Sequence, residues 1–474
     1  MKTRKILFST LPCLLALCIF LGSCRKEFLN LEPYSDVAAD IAITNEADMS
    51  AALNGTYATL RSANLFGRTL PLFADLVADN VYISAVNSNR YLDFFQVNYT
   101  VVNVNASSIW QAAYTTILRA NNIINSELAI TGKVEQYQSE ARVIRALMYF
   151  ELVKHFAKPY QVEPSGLGVP IILTYDPQLK PTRNTISEVY AQIEDDLTRA
   201  ITKLPEDNSS GFFTSYAAKA LLARMHLFKG EWADALTTSQ DIINNSGFSL
   251  LTASQVVDFW SRNTPRTDKV EVLFEVVFDA VQNASIDALP YFYDQNGYGD
   301  ALAADAFYGI FTATDVRRQL FLTNSPIRGD VKVVNKYPNS SSADPDEFKV
   351  LRLSEVYLTA AEAAYHSGNE TLALEYVNEI VNNRDPAFAG YSSSGQALLN
   401  DILVERRKEL AFEGHRYWDL ARYNSDVTRL NMSANYPGTV PLTITDDNFR
   451  RVLPIPQTEL DANPNIRSQQ NPGY

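Results

Sequence analysis

The sequence is poor in the side chains that most reaction chemistry needs. Three cysteines and four histidines serve 474 residues, and Cys13 and Cys18 fall inside an apolar N-terminal stretch that export would remove. A mature chain left with Cys24 alone cannot form an internal disulfide. Its stability then rests on packing, for which roughly 450 residues provide ample core. His155, His226, His366 and His415 stand singly, without the His-Glu-x-x-His spacing of a metal site, and neither a metal nor another cofactor is expected. Also missing are a glycine-rich phosphate loop, a Gly-x-Ser-x-Gly turn and a nucleophilic cysteine, so nothing local points to an enzyme. Past residue 21 no hydrophobic run approaches the ~20 residues of a membrane span.

Basic residues are in deficit as well, 41 Lys plus Arg against 54 Asp plus Glu. Lys2, Arg4 and Lys5 precede the apolar run 6–21, which together make the charged and apolar regions of a secretory signal. Removing that signal leaves 38 basic against 54 acidic residues, a formal charge of −16. Such an acidic surface argues against nucleic acid or anionic lipid headgroups as partners. The run ends in Leu21-Gly22-Ser23-Cys24, which resembles the lipobox of bacterial lipoproteins, where the cysteine is alkylated by diacylglycerol and becomes the new N-terminus. The expected organisation is a signal peptide over 1–23, a lipidated tether containing Pro33 over 24–43, and one domain over 44–474.

What the chain has in quantity is helical periodicity. Helices are predicted from about Asn45 to Leu60, from Ser108 through Trp110, Ile117 and Ile124, and from about Val134 to Phe156, where Val143, Leu147, Phe150 and Val153 share a face. A fourth starts at Thr185, with Glu188 three residues on as a capping box, and carries Ile186, Val189, Tyr190, Ile193, Leu197, Ile201 and Leu204 as one stripe up to Pro205. Two segments repeat each other. Leu222-Ala223, Leu227, Gly230, Ala235-Leu236 and Ile242 have the spacing of Ala360-Ala361, Tyr365, Gly368, Ala373-Leu374 and Ile380, the pattern of a tetratricopeptide-type helix pair. With a helix from Leu398 to about Phe412, the fold class read from the sequence is all-α: a tetratricopeptide-like repeat scaffold of about four helix pairs with irregular, partly β elaborations.

The elaborations are residues 63–107 and 246–348, rich in Gly, Pro, Asn, Ser and aromatics, with a strand expected over 270–276 from its period of two. Long irregular segments on a repeat scaffold are where binding is expected. Tyr82, Tyr91, Phe94 and Phe95 lie in the first beside Asp79, Asn80, Asn87, Asn89 and Arg90. Tyr291, Phe292, Tyr293 and Tyr298 lie in the second beside Asp294, Gln295 and Asn296. A sugar ring presents an apolar C–H face and a rim of hydroxyls, which a tyrosine flanked by amides and carboxylates suits. Tyr82, Tyr91, Phe94, Tyr291, Tyr293, Tyr298, Asp79, Asn80 and Asn296 are therefore the candidate ligand contacts, although packing of the loops is the plainer role for any single ring.

Two further clusters invite a chemical reading. Glu405, Glu409, Glu413 and Asp419 near His415 have the composition of an acid/base site, yet on a helix the three glutamates share a face with Arg406, Lys408, Arg416 and Arg422 in pairing range. A structural ion network is expected. Asp344-Pro345-Asp346-Glu347 offers oxygen ligands of the kind Ca²⁺ takes, but an acidic surface loop explains it as well.

The stretch Glu405-Arg406 through Glu409-Leu410, Phe412-Glu413-Gly414, Arg416, Asp419-Leu420 and Arg422, followed by Leu453-Pro454-Ile455-Pro456, Asn463-Pro464 and Gln470-Asn471-Pro472-Gly473-Tyr474, resembles the SusD/RagB family. Leu351-Arg352-Leu353-Ser354-Glu355 and Glu140-Ala141-Arg142 through Tyr149-Phe150 match in the same order. The resemblance implies an outer-membrane surface lipoprotein that binds a glycan, or a peptide in some members, and passes it to a SusC-like TonB-dependent transporter. It carries over no ligand-contacting positions. An alternative of another class, a surface glycoside hydrolase, would need two carboxylates set across a cleft.

Overall fold

The computed structural model describes residues 43–474 apart from 208, 263–269, 341–345 and 431–432. The export signal, Cys24 and nearly all of the tether lie outside the described residues, as do Asp344 and Pro345. In chain order the helices are α1 (Glu46–Leu60), α2 (Thr69–Leu76), α3 (Leu92–Gln96), α4 (Val104–Ile124), α5 (Gly132–Phe156), α6 (Ile186–Ile201), α7 (Ser215–Lys229), α8 (Trp232–Asn245), α9 (Ala253–Ser261), α10 (Leu289–Tyr293), α11 (Asp305–Tyr308), α12 (Leu353–His366), α13 (Glu370–Asn382), α14 (Gly395–Glu409), α15 (Arg416–Arg422) and α16 (Gln457–Ala462). No helix among the described residues is long and apolar enough to cross a membrane.

Local sequence sets most of the helix starts. Asn45, Asn103, Thr131 and Thr214 each accept a backbone N–H at an N-terminus, and Thr185 closes the expected capping box with Glu188. The repeated glycines do what the repeat requires. Gly230 ends α7 at φ +78° and Gly368 follows α12 at φ +79°, a left-handed turn that L side chains resist, so each chain doubles back into α8 or α13. α4 to α8 pack neighbour on neighbour, α12 docks on α8, and α13 and α14 both pack on α12. That is the stacked-pair scaffold expected from the sequence. α1 lies across α4 and α5.

The irregular segments supply small sheets. β1 (Val81–Ile83), β3 (Ala301–Ala303), β5 (Gly329–Val334) and β4 (Phe321–Ser325) form one antiparallel sheet in that order, and β2 (Val272–Val276) pairs with β6 (Phe348–Arg352) in another. The predicted strand over 270–276 is present as β2, two residues shorter at its start. The pairing Val81↔Ala303, Ile83↔Ala301 fixes the geometry of everything that follows. Because the strands are antiparallel, the chain leaving Ile83 and the chain arriving at Ala301 meet at one end of the sheet. Residues 84–91 and 294–300 are thereby brought together from opposite halves of the sequence.

Candidate functional site: a polar groove where the two irregular segments meet

At that sheet end the chain turns through two left-handed residues, Asn89 at φ 63° and Tyr91 at φ 56°, and a third, Val97 at φ 53°, closes α3. Asparagine tolerates this conformation, but for a β-branched valine it is an outlier of the kind that structures retain at functional sites. The turn opens a groove of about 530 Å³ walled by Arg68, Asn89, Arg90, Asp93, Gln96, Asn98 and Asn105. Its floor is built by the core: the Tyr91 hydroxyl accepts from Arg68 Nε at 2.7 Å and lies 2.8 Å from Thr69 Oγ1, which points Arg68 outward to Asp287 (2.7 Å) on the second segment. Arg90 lies over the Tyr298 ring at 4.0 Å, and Tyr291 meets Tyr298 edge to face at 4.9 Å. Arg328 ties the two loops together, donating Nη1 to Val86 O at 3.0 Å and Nη2 to Tyr298 O. The groove thus offers guanidinium and amide donors, one carboxylate, and two partly exposed tyrosines at its margin.

The predicted contacts divide. Tyr291 and Tyr298 are partly exposed and Asn296 is exposed; Tyr298 lies under Arg90 of the groove wall with Tyr291 beside it, while none of the three lines the groove itself. Tyr82, Phe94 and Tyr293 do not reach the surface: each is at most 2 % exposed, so no ring face is free to stack on a sugar, and the expectation is corrected for these three; Tyr91 does line the groove, but at 5 % exposure it forms floor and offers no open ring face. Phe94 packs edge-on against Phe73 and Tyr99. Tyr82 donates to Ser433 Oγ at 2.8 Å, and Tyr293 to Asp75 Oδ2 at 2.8 Å. Asp79 and Asn80 sit before β1, at its other end. Arg416 Nε donates to Asp79 at 2.7 Å, and Arg407 Nε donates to Asn80 Oδ1 at 2.7 Å. Burial alone would raise the Asp79 carboxyl, but Arg407 and Arg416 hold it below its ordinary value. Both residues anchor the C-terminal half and are corrected to structural roles. Sequence reasoning missed Arg68, Asp93, Gln96, Asn98 and Asn105; the only local signal was the polar run around them.

The glutamate-rich stretch is a buried ion network, as expected, and keeps three of the expected local partners, Lys408 on Glu405 (2.6 Å) and Arg406 (2.9 Å) and Arg422 (3.0 Å) on Asp419, but its shape is different. α14 stops at Glu409, so Glu413 is not on the same helix face; it is returned to the cluster by Phe412 and Gly414, at φ 64° and 77°. Further cations come from far along the chain: Arg317 to Glu405 (2.6 Å), Arg352 to Glu413 (2.7 Å), Arg384 to Glu409 (2.9 Å) and Lys336 to Glu413 (2.7 Å). Arg416 turns elsewhere, to Asp79, and Arg422 takes Glu362 as well as Asp419. His415, beside Arg224 and Arg406, is half-buried, and its pKa is driven well below the ordinary imidazole value by loss of solvent first and those cations next. Every carboxylate here faces a cation inside the core, which is the structural role expected from the sequence. Elsewhere, His226, Glu231 and Asp234 bring ligand atoms within 4.8 Å of one another. Glu231 is already matched by His226 Nδ1 (2.7 Å) and Lys229 Nζ (2.5 Å).

Comparison with known proteins gives a consistent picture. Residues 272–474 match the family model described as SusD family, and residues 27–227 match one described as starch-binding associating with outer membrane. SusD-like protein P2 of Formosa agariphila is 28 % identical over 100 % of both chains. A SusD superfamily structure from Bacteroides thetaiotaomicron superposes with a TM-score of 0.83 at 28 % identity, covering 90 % of this chain and 100 % of that one. A structure from Bacteroides vulgatus, provisionally assigned as a sugar binding protein, is 30 % identical with a TM-score of 0.82 over 91 % of this chain and 99 % of that one.

Proposed function

The chain belongs to the SusD family, and from that premise we propose that it is a lipid-anchored, non-catalytic surface protein of the outer membrane that holds a glycan in the groove between residues 84–98 and 287–298. It then passes the glycan to a SusC-like TonB-dependent transporter. The observation that carries the binding reading is the wall itself: two arginines, four amides and a carboxylate line an open groove, with Tyr298 and Tyr291 beside it. Hydroxyl rims are recognised by such donor and acceptor sets, and the tyrosines supply the apolar face. Single glycan contacts of this kind give weak affinities, in the range of about 4–8 kcal/mol that corresponds to millimolar to micromolar dissociation constants.

Calorimetric titration with a panel of oligosaccharides tests the reading. For a glycan that binds, Arg90→Ala, Asn89→Ala and Tyr298→Ala should each weaken affinity roughly fivefold to tenfold, about 1–1.4 kcal/mol, with unchanged thermal melting. Full affinity in all three would place the site elsewhere, and release of reducing ends by the pure protein would overturn the non-catalytic part. The anchor is tested separately: a fatty-acid label should enter the wild-type protein and be absent from Cys24→Ala.

A further inference from the structure

One wall of the groove hangs on a turn that has no core of its own. Residues 84–89 lead from β1 to Arg90, and Ala85 and Val86, the apolar side chains among them, are both exposed. Packing therefore cannot fix where the turn presents Asn89 and Arg90. Internal bonds give it a shape: Asn87 Nδ2 donates to Ser84 O at 2.7 Å, and Asn89 N donates to Asn87 Oδ1 at 2.8 Å, which suits the left-handed Asn89. Its placement has to come from outside.

Ala85 N donates to Asn435 O at 3.0 Å and Arg328 Nη1 to Val86 O at 3.0 Å. The bonds at both ends of the turn go to a single residue, Asp300. Ser84 N donates to the Asp300 carbonyl at 2.9 Å, one step beyond the Ile83↔Ala301 pair of the β1–β3 ladder, and Asp300 N is itself held by Phe292 O at 3.0 Å. The Asp300 carboxylate then accepts from Ser88 twice, from N on Oδ1 at 3.0 Å and from Oγ on Oδ2. Asp300 is 1 % exposed, and neither it nor Ser88 lines the groove. Burial raises its carboxyl pKa, against the Ser88 hydrogen bonds and the nearby Arg328 and Arg90. We propose, on the premise that the groove is the binding site, that Asp300 is its positioning residue: the carboxylate clasps Ser88 and so holds Asn89 and Arg90 in place for a ligand that Asp300 does not touch. A site ordered before its ligand arrives loses less freedom on binding, so the clasp adds affinity without a contact.

Amide hydrogen exchange of the purified protein reads the clasp directly. In Asp300→Ala, which keeps the backbone bonds, the amides of residues 84–91 should exchange roughly tenfold faster or more, as loss of one or two hydrogen bonds implies, while those of α5 keep their rates. Asp300→Asn is the rescue: its Oδ1 accepts from Ser88 N and its Nδ2 donates to Ser88 Oγ, so exchange should stay within about threefold of the wild type. Ser88→Ala alters a half-buried side chain; it reads the same amides if Asp300→Ala does not fold, with an expected acceleration of about threefold to tenfold. No ligand is needed for these measurements, so they fail separately from the test of the proposed function. For the strongest binder of the oligosaccharide panel, Asp300→Ala should weaken affinity at least about fivefold, and Asp300→Asn should not. Unchanged exchange at 84–91 in Asp300→Ala, or in Ser88→Ala where that is the variant that folds, overturns the proposal. So does an Asp300→Asn protein that exchanges as fast as Asp300→Ala, or full affinity in a variant whose turn has loosened.

Discussion

Tyr293 and Tyr298 stand five residues apart, yet one donates its hydroxyl to the buried Asp75 while the other lies under Arg90 at the groove. The difference has no counterpart in their residue type or neighbours, because the irregular segments carry a core of their own and only their tertiary packing decides which ring is inside it. Asp75 makes the buried choice measurable. Burial, outweighing the Tyr293 hydrogen bond and Lys336, pushes its carboxyl up to about 7, whereas in the unfolded chain it titrates near 3.9. The folded protein therefore keeps a proton that the unfolded chain releases. This contribution to stability is complete below about pH 4 and is lost as the pH rises to about 7, a difference of at most about 4 kcal/mol. Asp75→Asn should abolish that slope, so urea denaturation at several pH values should show the wild type losing ground to the variant between pH 4 and 7. Parallel stability curves would refute the assignment.

Elements with strong local signals were legible in the sequence. The capping box at Thr185, the stripe of α6 and the matched glycines of the α7–α8 and α12–α13 turns depend only on residues within a turn or two of each other. The groove was legible only as a region, since its shape depends on the β1–β3 pairing and on positive φ at Asn89, Tyr91 and Val97, of which only the asparagine is a usual carrier. The helix expected over Leu398 to about Phe412 has the right length but lies three residues too late, since α14 runs from Gly395 to Glu409; its end is set by Phe412, which takes a left-handed conformation that no phenylalanine announces. Two glycines test how turn geometry and packing add. A Cβ at Gly368 (φ +79°) would meet open space, whereas one at Gly414 (φ +77°) would stand 2.5 Å from Pro71 Cα. Gly368→Ala should then cost only the left-handed penalty, about 1–2 kcal/mol. Gly414→Ala should cost clearly more, because α2 and the C-terminal stretch must separate; equal shifts in urea midpoint would show that Pro71 yields freely.

At the scale of the molecule, the arginine network joins parts that repeat stacking alone would leave apart. Arg407 and Arg416 reach back to Asp79 before β1, Arg429 donates to the carbonyls of Leu76 (2.7 Å), Ala78 (3.0 Å) and Phe95 (2.6 Å), and Arg384 spans Glu271 (3.0 Å) and Glu409 (2.9 Å). The glutamates were legible as a structural cluster with Lys408 among their cations, but the distant cations, at 317, 336, 352 and 384, were not, because nothing local links residues so far apart. Glu409 is the centre: burial alone would raise it, but Arg384, Arg352 and Arg317 hold it well below the ordinary carboxylate range. Its stabilising contribution is present above about pH 4.5 and is lost as the pH falls through its folded value, the opposite sense to Asp75. Glu409→Ala leaves one buried positive charge in excess and should cost about 3–5 kcal/mol, a large part of the roughly 5–15 kcal/mol that holds a domain folded. Removing Arg384 as well restores the charge balance, so Glu409→Ala with Arg384→Met should be less damaging than the sum of the two single changes, by about 0.5–3 kcal/mol. Urea denaturation of the four proteins at pH 7 measures that coupling, and oligosaccharide affinity per folded molecule should be the same in all of them. Strict additivity would mean that the cluster is held by its surroundings and not by its charges, and a selective loss of binding at full stability would move Glu409 from the scaffold to the site.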